Sequence, residues 1–153
     1  GLSDDLLKHA PIPEPNILAM PVDMTPDEAA VAYEKAIMDN LGSSPRFDLI
    51  MLGMGGDGHT ASIFPGKELT LAPKGHVGHV TAGDPHMTRL SLSMDIINAA
   101  RMVVFLVGGA SKADVVARIM ADLAEDLPAS WVRPSDGQLR WLLDEAAAGG
   151  LRP

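Results

Sequence analysis

The chain has 153 residues, a formal net charge of −8 and no cysteine. The absence of cysteine excludes disulfides and thiolate metal sites and suits a reducing compartment, so we expect a cytoplasmic protein of one domain's size. Because the sequence shows neither a Lys/Arg cluster nor an apolar run as long as a transmembrane helix, we expect no nucleic-acid partner and no membrane partner.

Apolar runs alternate with helical patterns along the chain. In chain order, the patterns predict a short helix over 3–9, a strand over 16–20, a helix from the Thr25 cap to Leu41, a strand over 47–52 and a short helix over 61–64. They then predict strands over 79–82 and 89–94, a helix over 96–100, a strand over 102–107, a helix from the Ser111 cap to about 124, and a last strand over 139–143 before the segment 144–148. Strands 47–52 and 102–107 are the most apolar, which is typical of central strands buried on both faces. The alternation predicts an α/β fold built on a parallel sheet.

The strand over 47–52 runs into a loop that has four glycines within six residues, namely Gly53, Gly55, Gly56 and Gly58. Glycine lets the backbone approach a ligand closely, and loops at the carboxyl ends of strands bind ligands in open α/β sheets. Asp57 and His59 lie in the same loop, and a carboxylate beside an imidazole is typical of proton-transfer sites. Two structural interpretations stay open: His59 as a cap of a short helix, and Asp57 as a turn-stabilising residue.

Three of these glycines also fit the G-x-G-x-x-G fingerprint of dinucleotide-binding folds. Three features disfavour that interpretation. Asp57 would repel a pyrophosphate, and Pro65 with Gly66 ends any following helix after about two turns. The acidic residue expected about 20 residues further on is absent from residues 73–81.

The stretch Leu52 to Gly66 resembles, without a break, the signature Leu-Gly-x-Gly-x-Asp-Gly-His-Thr-Ala-Ser-x-Phe-Pro-Gly of the 6-phosphogluconolactonases. The related glucosamine-6-phosphate deaminases continue with Ala-Phe-Asn-Glu-Pro after the histidine, and their glutamate is missing here. Further segments resemble the lactonase family at 88–93, 98–101, 104–112, 127–132 and 141–144. The resemblance implies a three-layer α/β/α sandwich, similar to the glucosamine-6-phosphate deaminase and ribose-5-phosphate isomerase superfamily.

The resemblance also implies an activity: hydrolysis of 6-phospho-D-glucono-1,5-lactone to 6-phospho-D-gluconate in the pentose phosphate pathway, with no cofactor and no metal. His59 would be the general base on water, and Asp57 would orient the imidazole or bind sugar hydroxyls. The four loop glycines would offer N–H groups to the lactone oxygens. Lys112, which follows a Gly-Gly-Ala-Ser turn, is assigned to the substrate phosphate, with Arg89 as the second cation.

Two other functions stay open, an isomerase or deaminase of the same superfamily and a sugar-phosphate sensor without catalysis. A proton acceptor at His59 favours an enzyme. Complete lactonases of the family carry an N-terminal part with a Gly-Gly-Ser phosphate loop and an arginine, for which no counterpart occurs here. We therefore expect residues 1–153 to be the C-terminal portion of a single lactonase domain. Alone, we expect them to be inactive, and either poorly stable or dependent on a second polypeptide that carries the missing strands.

Overall fold

The computed structural model describes residues 7–151, so most of the helix predicted over 3–9 lies outside the described residues. The strands are β1 (Ile50–Leu52), β2 (Thr70–Leu71), β3 (Val77–Ala82), β4 (Met87–Leu92), β5 (Met102–Val107) and β6 (Gln138–Leu143). The helices are α1 (Pro26–Leu41), α2 (Met94–Asn98) and α3 (Ala113–Met120), with single 3-10 turns at Glu14–Asn16, Ala110–Lys112 and Pro128–Trp131. No helix of the described residues is long and apolar enough to cross a membrane.

A parallel sheet forms the centre of the molecule, in the order β1-β5-β6. Val103, Phe105 and Val107 of β5 point to one face and are buried there. Phe105 stacks on Trp141 of β6 with a centroid separation of 4.0 Å. This face packs on α2, α3, the loops that follow them and the turn after β6, through Ile97, Ala100, Val116, Ala129, Val132 and Ala147. The α/β class and the parallel sheet are as predicted.

The opposite face of this sheet is open. Met51, Leu106 and Leu142 share that face through the β1–β5 and β5–β6 registers, and they are 63%, 46% and 56% exposed. β1 is an edge strand of three residues. The strand over 102–107 is central, as predicted, but the strand over 47–52 lies at an edge and neither is buried on both faces, so the rest of this prediction is wrong for residues 7–151. The physical reason is that no element of this part of the chain packs on the second face.

A second sheet, β2-β3-β4, is antiparallel and was not predicted as a separate sheet. Helix α1 covers one of its faces, with Ala30 and Ile37 packed against Val77. The helix begins at the predicted capping box, in which Thr25 and Glu28 bind each other's backbone N–H. Buried Glu34 accepts the backbone N–H groups of residues 74 and 76, which ties α1 to the turn before β3.

Three local predictions are wrong. The segment 16–20 contains no strand. Residues 61–64 form a tight turn closed by the Thr60–Ile63 pair, because Ala61 has a φ of 50° and cannot continue a right-handed helix. Helix α3 has Lys112, not Ser111, at its N-cap position, and it ends at Met120 because Asp122 adopts a φ of 58°.

Candidate active site

Three loops meet at one edge of the parallel sheet. They follow Leu52 of β1, Val107 of β5 and Leu143 of β6, and the carboxyl ends of parallel strands lie on the same side. In open α/β sheets this edge binds ligands. The first loop carries Asp57 and His59, and the second carries Lys112. The fold thus brings together three of the side chains singled out in the sequence.

Asp57 and His59 form a hydrogen-bonded pair. Nδ1 of His59 lies 2.7 Å from Oδ1 of Asp57, and the same oxygen accepts the backbone N–H of His59 at 3.1 Å. Partial desolvation raises the pKa of Asp57, but the hydrogen bonds and the charge attraction from His59 outweigh it, so the net pKa is lowered. An ionised carboxylate can only accept, which places the imidazole proton on Nδ1 and leaves Nε2 as a proton acceptor.

The imidazole ring of His59 lies against Phe64 and the backbone of Gly55. It stacks on buried Phe64 with a centroid separation of 4.3 Å. It also lies close to the backbone of Gly55, where an added Cβ would be 2.1 Å from Nδ1. The ring also lines a cleft of about 390 Å³ together with Met51, Leu52, Gly53, Met54, Gly55 and Ala61. A cleft of that size accommodates a small ligand.

The glycine loop closes on itself through its own hydrogen bonds. Gly55 N–H donates to the His59 carbonyl at 2.9 Å, and Gly58 N–H donates to the Gly55 carbonyl at 3.1 Å. These two N–H groups are engaged within the loop, so Gly55 and Gly58 shape the loop, and their role as donors to the lactone oxygens stays a prediction. Gly53 and Gly56 stay predicted donors.

Two side chains that were not singled out in the sequence anchor this loop. Thr60 is fully buried, and its hydroxyl donates to the Gly53 carbonyl at 2.9 Å. Ser62 connects the loop to β4 through two hydrogen bonds: its N–H donates to the Ser91 hydroxyl, and its own hydroxyl donates to the Leu90 carbonyl. The sequence feature that could have indicated these two residues is their position shortly after His59, inside the stretch Leu52 to Gly66 that resembles the lactonase signature.

Lys112 lies next to the glycine loop. A Cβ built on Gly56 would be 3.6 Å from the Lys112 Nζ, so the ammonium group lies beside the loop backbone. Within residues 7–151 no carboxylate lies within ion-pair distance of this lysine. A partly buried ammonium group without a protein counter-ion is suited to hold an anion.

The structure does not bring Arg89 into contact with Lys112. The Arg89 guanidinium lies against Gly83, and its Nε donates to the Ala82 carbonyl at 3.4 Å. Arg89 lines a separate cavity of about 400 Å³ with the segment Met20 to Met24. It does share a face of β4 with Ser91, the partner of Ser62, so it lies on the side of the sheet that the glycine loop contacts.

The remaining histidines do not form a cluster. His79 pairs through Nε2 with Asp27 of α1 at 2.9 Å, and His86 Nε2 lies 3.2 Å from the Thr81 carbonyl. Among the described residues no three His, Cys, Asp or Glu side chains are placed to hold a metal ion.

The sequence matches the family model described as glucosamine-6-phosphate isomerases/6-phosphogluconolactonase over residues 1–141. The chain belongs to this family. Within it, the 6-phosphogluconolactonase of Homo sapiens is 40% identical over 147 residues, which is 94% of this chain and 57% of the human protein.

Solved structures of the family share the fold. A 6-phosphogluconolactonase from Thermotoga maritima superposes with a TM-score of 0.78 at 29% identity, covering 94% of this chain and 63% of the other. A monomeric glucosamine-6-phosphate deaminase superposes with a TM-score of 0.67 at 23% identity, covering 85% of this chain and 56% of the other, and shows similarity of fold alone. The chain thus spans about three fifths of the length of these relatives.

Proposed function

We propose that this chain carries the catalytic base and the phosphate-binding lysine of a 6-phosphogluconolactonase, which hydrolyses 6-phospho-D-glucono-1,5-lactone to 6-phospho-D-gluconate. The observation that carries the proposal is the Asp57–His59 pair, stacked on Phe64 beside an open cleft. The human relative named 6-phosphogluconolactonase supports it as well. A chain without cysteine suits the cytoplasm as its compartment.

In the proposed mechanism, Nε2 of His59 takes a proton from water while the water oxygen forms a bond to the lactone carbonyl carbon. Asp57 holds the ring orientation and stabilises the imidazolium that results. As the bond between the carbonyl carbon and the ring oxygen breaks, His59 returns the proton to that oxygen. The acid product then ionises in solution.

The phosphate end of the substrate is assigned to Lys112, whose ammonium group lies beside Gly56. One phosphate can bind the lysine and accept N–H groups of the loop backbone at the same time. We keep Arg89 as the second cation of this proposal. It reaches the same anion only if its guanidinium leaves the Ala82 carbonyl, a long hydrogen bond that is easily given up.

We further propose that residues 1–153 act as one portion of a single lactonase domain and need a further polypeptide segment. The support is the open face of the parallel sheet, where Met51, Leu106 and Leu142 meet solvent. Parallel sheets are normally covered on both faces, because an apolar face exposed to water is unfavourable. Met51 also lines the cleft beside His59, so a covering segment would form a wall of the proposed site.

The first test is His59→Ala, measured as acid release from the lactone and corrected for spontaneous hydrolysis, in the protein together with its covering segment. We expect kcat to fall by about 10²-fold or more, the usual scale for a general base, with little change in KM. His86→Ala, an exposed histidine of the β3–β4 turn, is the matched control and should keep kcat. A near-normal kcat for His59→Ala would remove His59 from the chemistry.

Two further measurements, made beside the lactone assay, separate the competing functions. A sensor would bind 6-phospho-D-gluconate without turning over the lactone, and a deaminase would release ammonia from glucosamine 6-phosphate.

The second test is expression of residues 1–153 alone, followed by thermal unfolding and the lactonase assay. We expect a broad or low-temperature transition and no turnover, and a cooperative transition with substantial turnover would contradict the need for a covering segment.

A further inference from the structure

Asp144 lies at the same sheet edge as the candidate site, although neither the glycine loop nor the lysine turn contains it. It follows β6 directly, and its backbone N–H continues the ladder to the Val107 carbonyl. Its carboxylate accepts the Gly109 N–H with both oxygens, at 3.1 and 2.9 Å. Oδ1 accepts the Ala147 N–H as well, at 2.7 Å, which caps the turn that follows.

The carboxylate determines the path of the turn that carries Lys112. A Cβ on Gly108 would lie 2.8 Å from Oδ2 of Asp144, so only glycine allows this approach. Gly109 has a φ of 95°, in the region that glycine adopts readily. The Gly109 carbonyl then accepts the Lys112 N–H at 3.0 Å and starts the 3-10 turn. Asp144, Gly109 and Lys112 therefore form one connected chain of contacts that ends at the glycine loop.

A direct role of Asp144 in binding the phosphate is unfavourable, because a carboxylate repels an anion. Asp144 must therefore contribute by holding the backbone in position. A hydrogen bond from a backbone N–H to a charged acceptor is strong enough for this, because it is among the stronger hydrogen bonds in proteins. We propose that Asp144 is a positioning residue that holds the Gly109 peptide, and through it Lys112, in place for the substrate phosphate. This inference rests on the proposed function for the identity of the phosphorylated substrate.

The test compares Asp144→Ala with Asp144→Asn in the protein together with its covering segment. Loss of the acceptor should raise KM for the phosphorylated lactone by about tenfold, the factor that corresponds to one charge-assisted hydrogen bond. The value of kcat and the KM for the unphosphorylated lactone should stay within about twofold, since neither depends on Lys112. Asp144→Asn should return KM to within about threefold of the wild type, because its amide oxygen still accepts the N–H.

Two further variants separate positioning from a general loss of stability. Asp48→Ala removes a carboxylate near the opposite end of the sheet, where Asp48 pairs with Arg101, and it should leave all kinetic constants unchanged. Gly108→Ala should reproduce the KM effect in the wild type and add little to Asp144→Ala, because both changes displace the same contact. Equal losses on both lactones, a fall in kcat alone, or no rescue by asparagine would overturn the assignment.

A binding experiment tests Asp144 independently of the lactonase activity. Inorganic phosphate is titrated while the NMR signal of the Gly109 amide is followed in the wild type and in both Asp144 variants. We expect phosphate affinity to fall by about tenfold in Asp144→Ala and to return in Asp144→Asn. Unchanged affinity in the alanine variant, or no phosphate binding by the wild type, would overturn the role of Asp144. A protein that passes this test but hydrolyses no lactone would refute the proposed function alone.

Discussion

Gly55 is the residue whose replacement tests the site most directly. The imidazole of His59 lies over its Cα, and an alanine methyl there would be 2.1 Å from Nδ1, 2.3 Å from Cε1 and 2.5 Å from Oδ1 of Asp57. Atoms that are not bonded to each other make favourable contacts at about 3.5 to 4 Å. The methyl therefore collides with both members of the pair at once, and the stacking of the ring on Phe64 limits its movement.

The expected size of the effect follows from this geometry. To reach ordinary contact, the ring of His59 must move by more than about 1 Å, and a misplacement of that size costs about 10²-fold in rate. Gly55→Ala should therefore lower kcat by roughly the same factor as the loss of the general base. The backbone hydrogen bonds of the loop are kept, because alanine has the same N–H and carbonyl groups.

The assay is lactone hydrolysis with KM and kcat resolved, accompanied by the NMR signals of the His59 ring. Gly149→Ala is the matched control: it adds the same methyl outside the cleft, where the nearest heavy atom is the Ala146 carbonyl oxygen at 3.3 Å. It should keep kcat within about threefold and leave the His59 signals in place. Normal kcat in Gly55→Ala, or an equal loss in Gly149→Ala, would refute the reasoning that Gly55 is required by the position of the ring.

Two further predictions concern the charged groups of the site. Lys112→Ala should raise KM for the phosphorylated lactone by about 10-fold or more and leave the unphosphorylated lactone almost unaffected, whereas equal losses on both would contradict a phosphate role. Because the net pKa of Asp57 is lowered, its stabilising contribution should be complete above the ordinary carboxyl pKa of about 3.9 and disappear as the pH falls through the lower folded value. The unfolding temperatures of the wild type and of Asp57→Asn, measured between pH 3 and 7, should therefore differ by a constant amount near neutrality and converge only at the acid end. Convergence of the two temperatures near pH 6 would contradict this prediction.

Local features of this protein could be read from the sequence because neighbouring residues determine them. The capping box Thr25–Glu28 starts α1 where predicted, and the apolar run Met102–Val107 is β5 with the predicted bounds. The pairing of Asp57 with His59 also depends on residues two apart, which a glycine-rich turn brings into contact. The sequence alone therefore determined the class of fold, the family and the pairing of Asp57 with His59.

The tertiary structure alone decided which distant segments complete the site. Asp144 reaches Gly109 across 35 residues because β6 pairs in parallel with β5, and no local pattern encodes that register. The packing of whole strands and loops also sets the positions of the two cations. It places Lys112 beside Gly56, and it places Arg89 in a separate cavity. The open face of the sheet is likewise a property of packing, since Met51 and Leu106 are as apolar as the buried residues beside them and differ only in what lies above them.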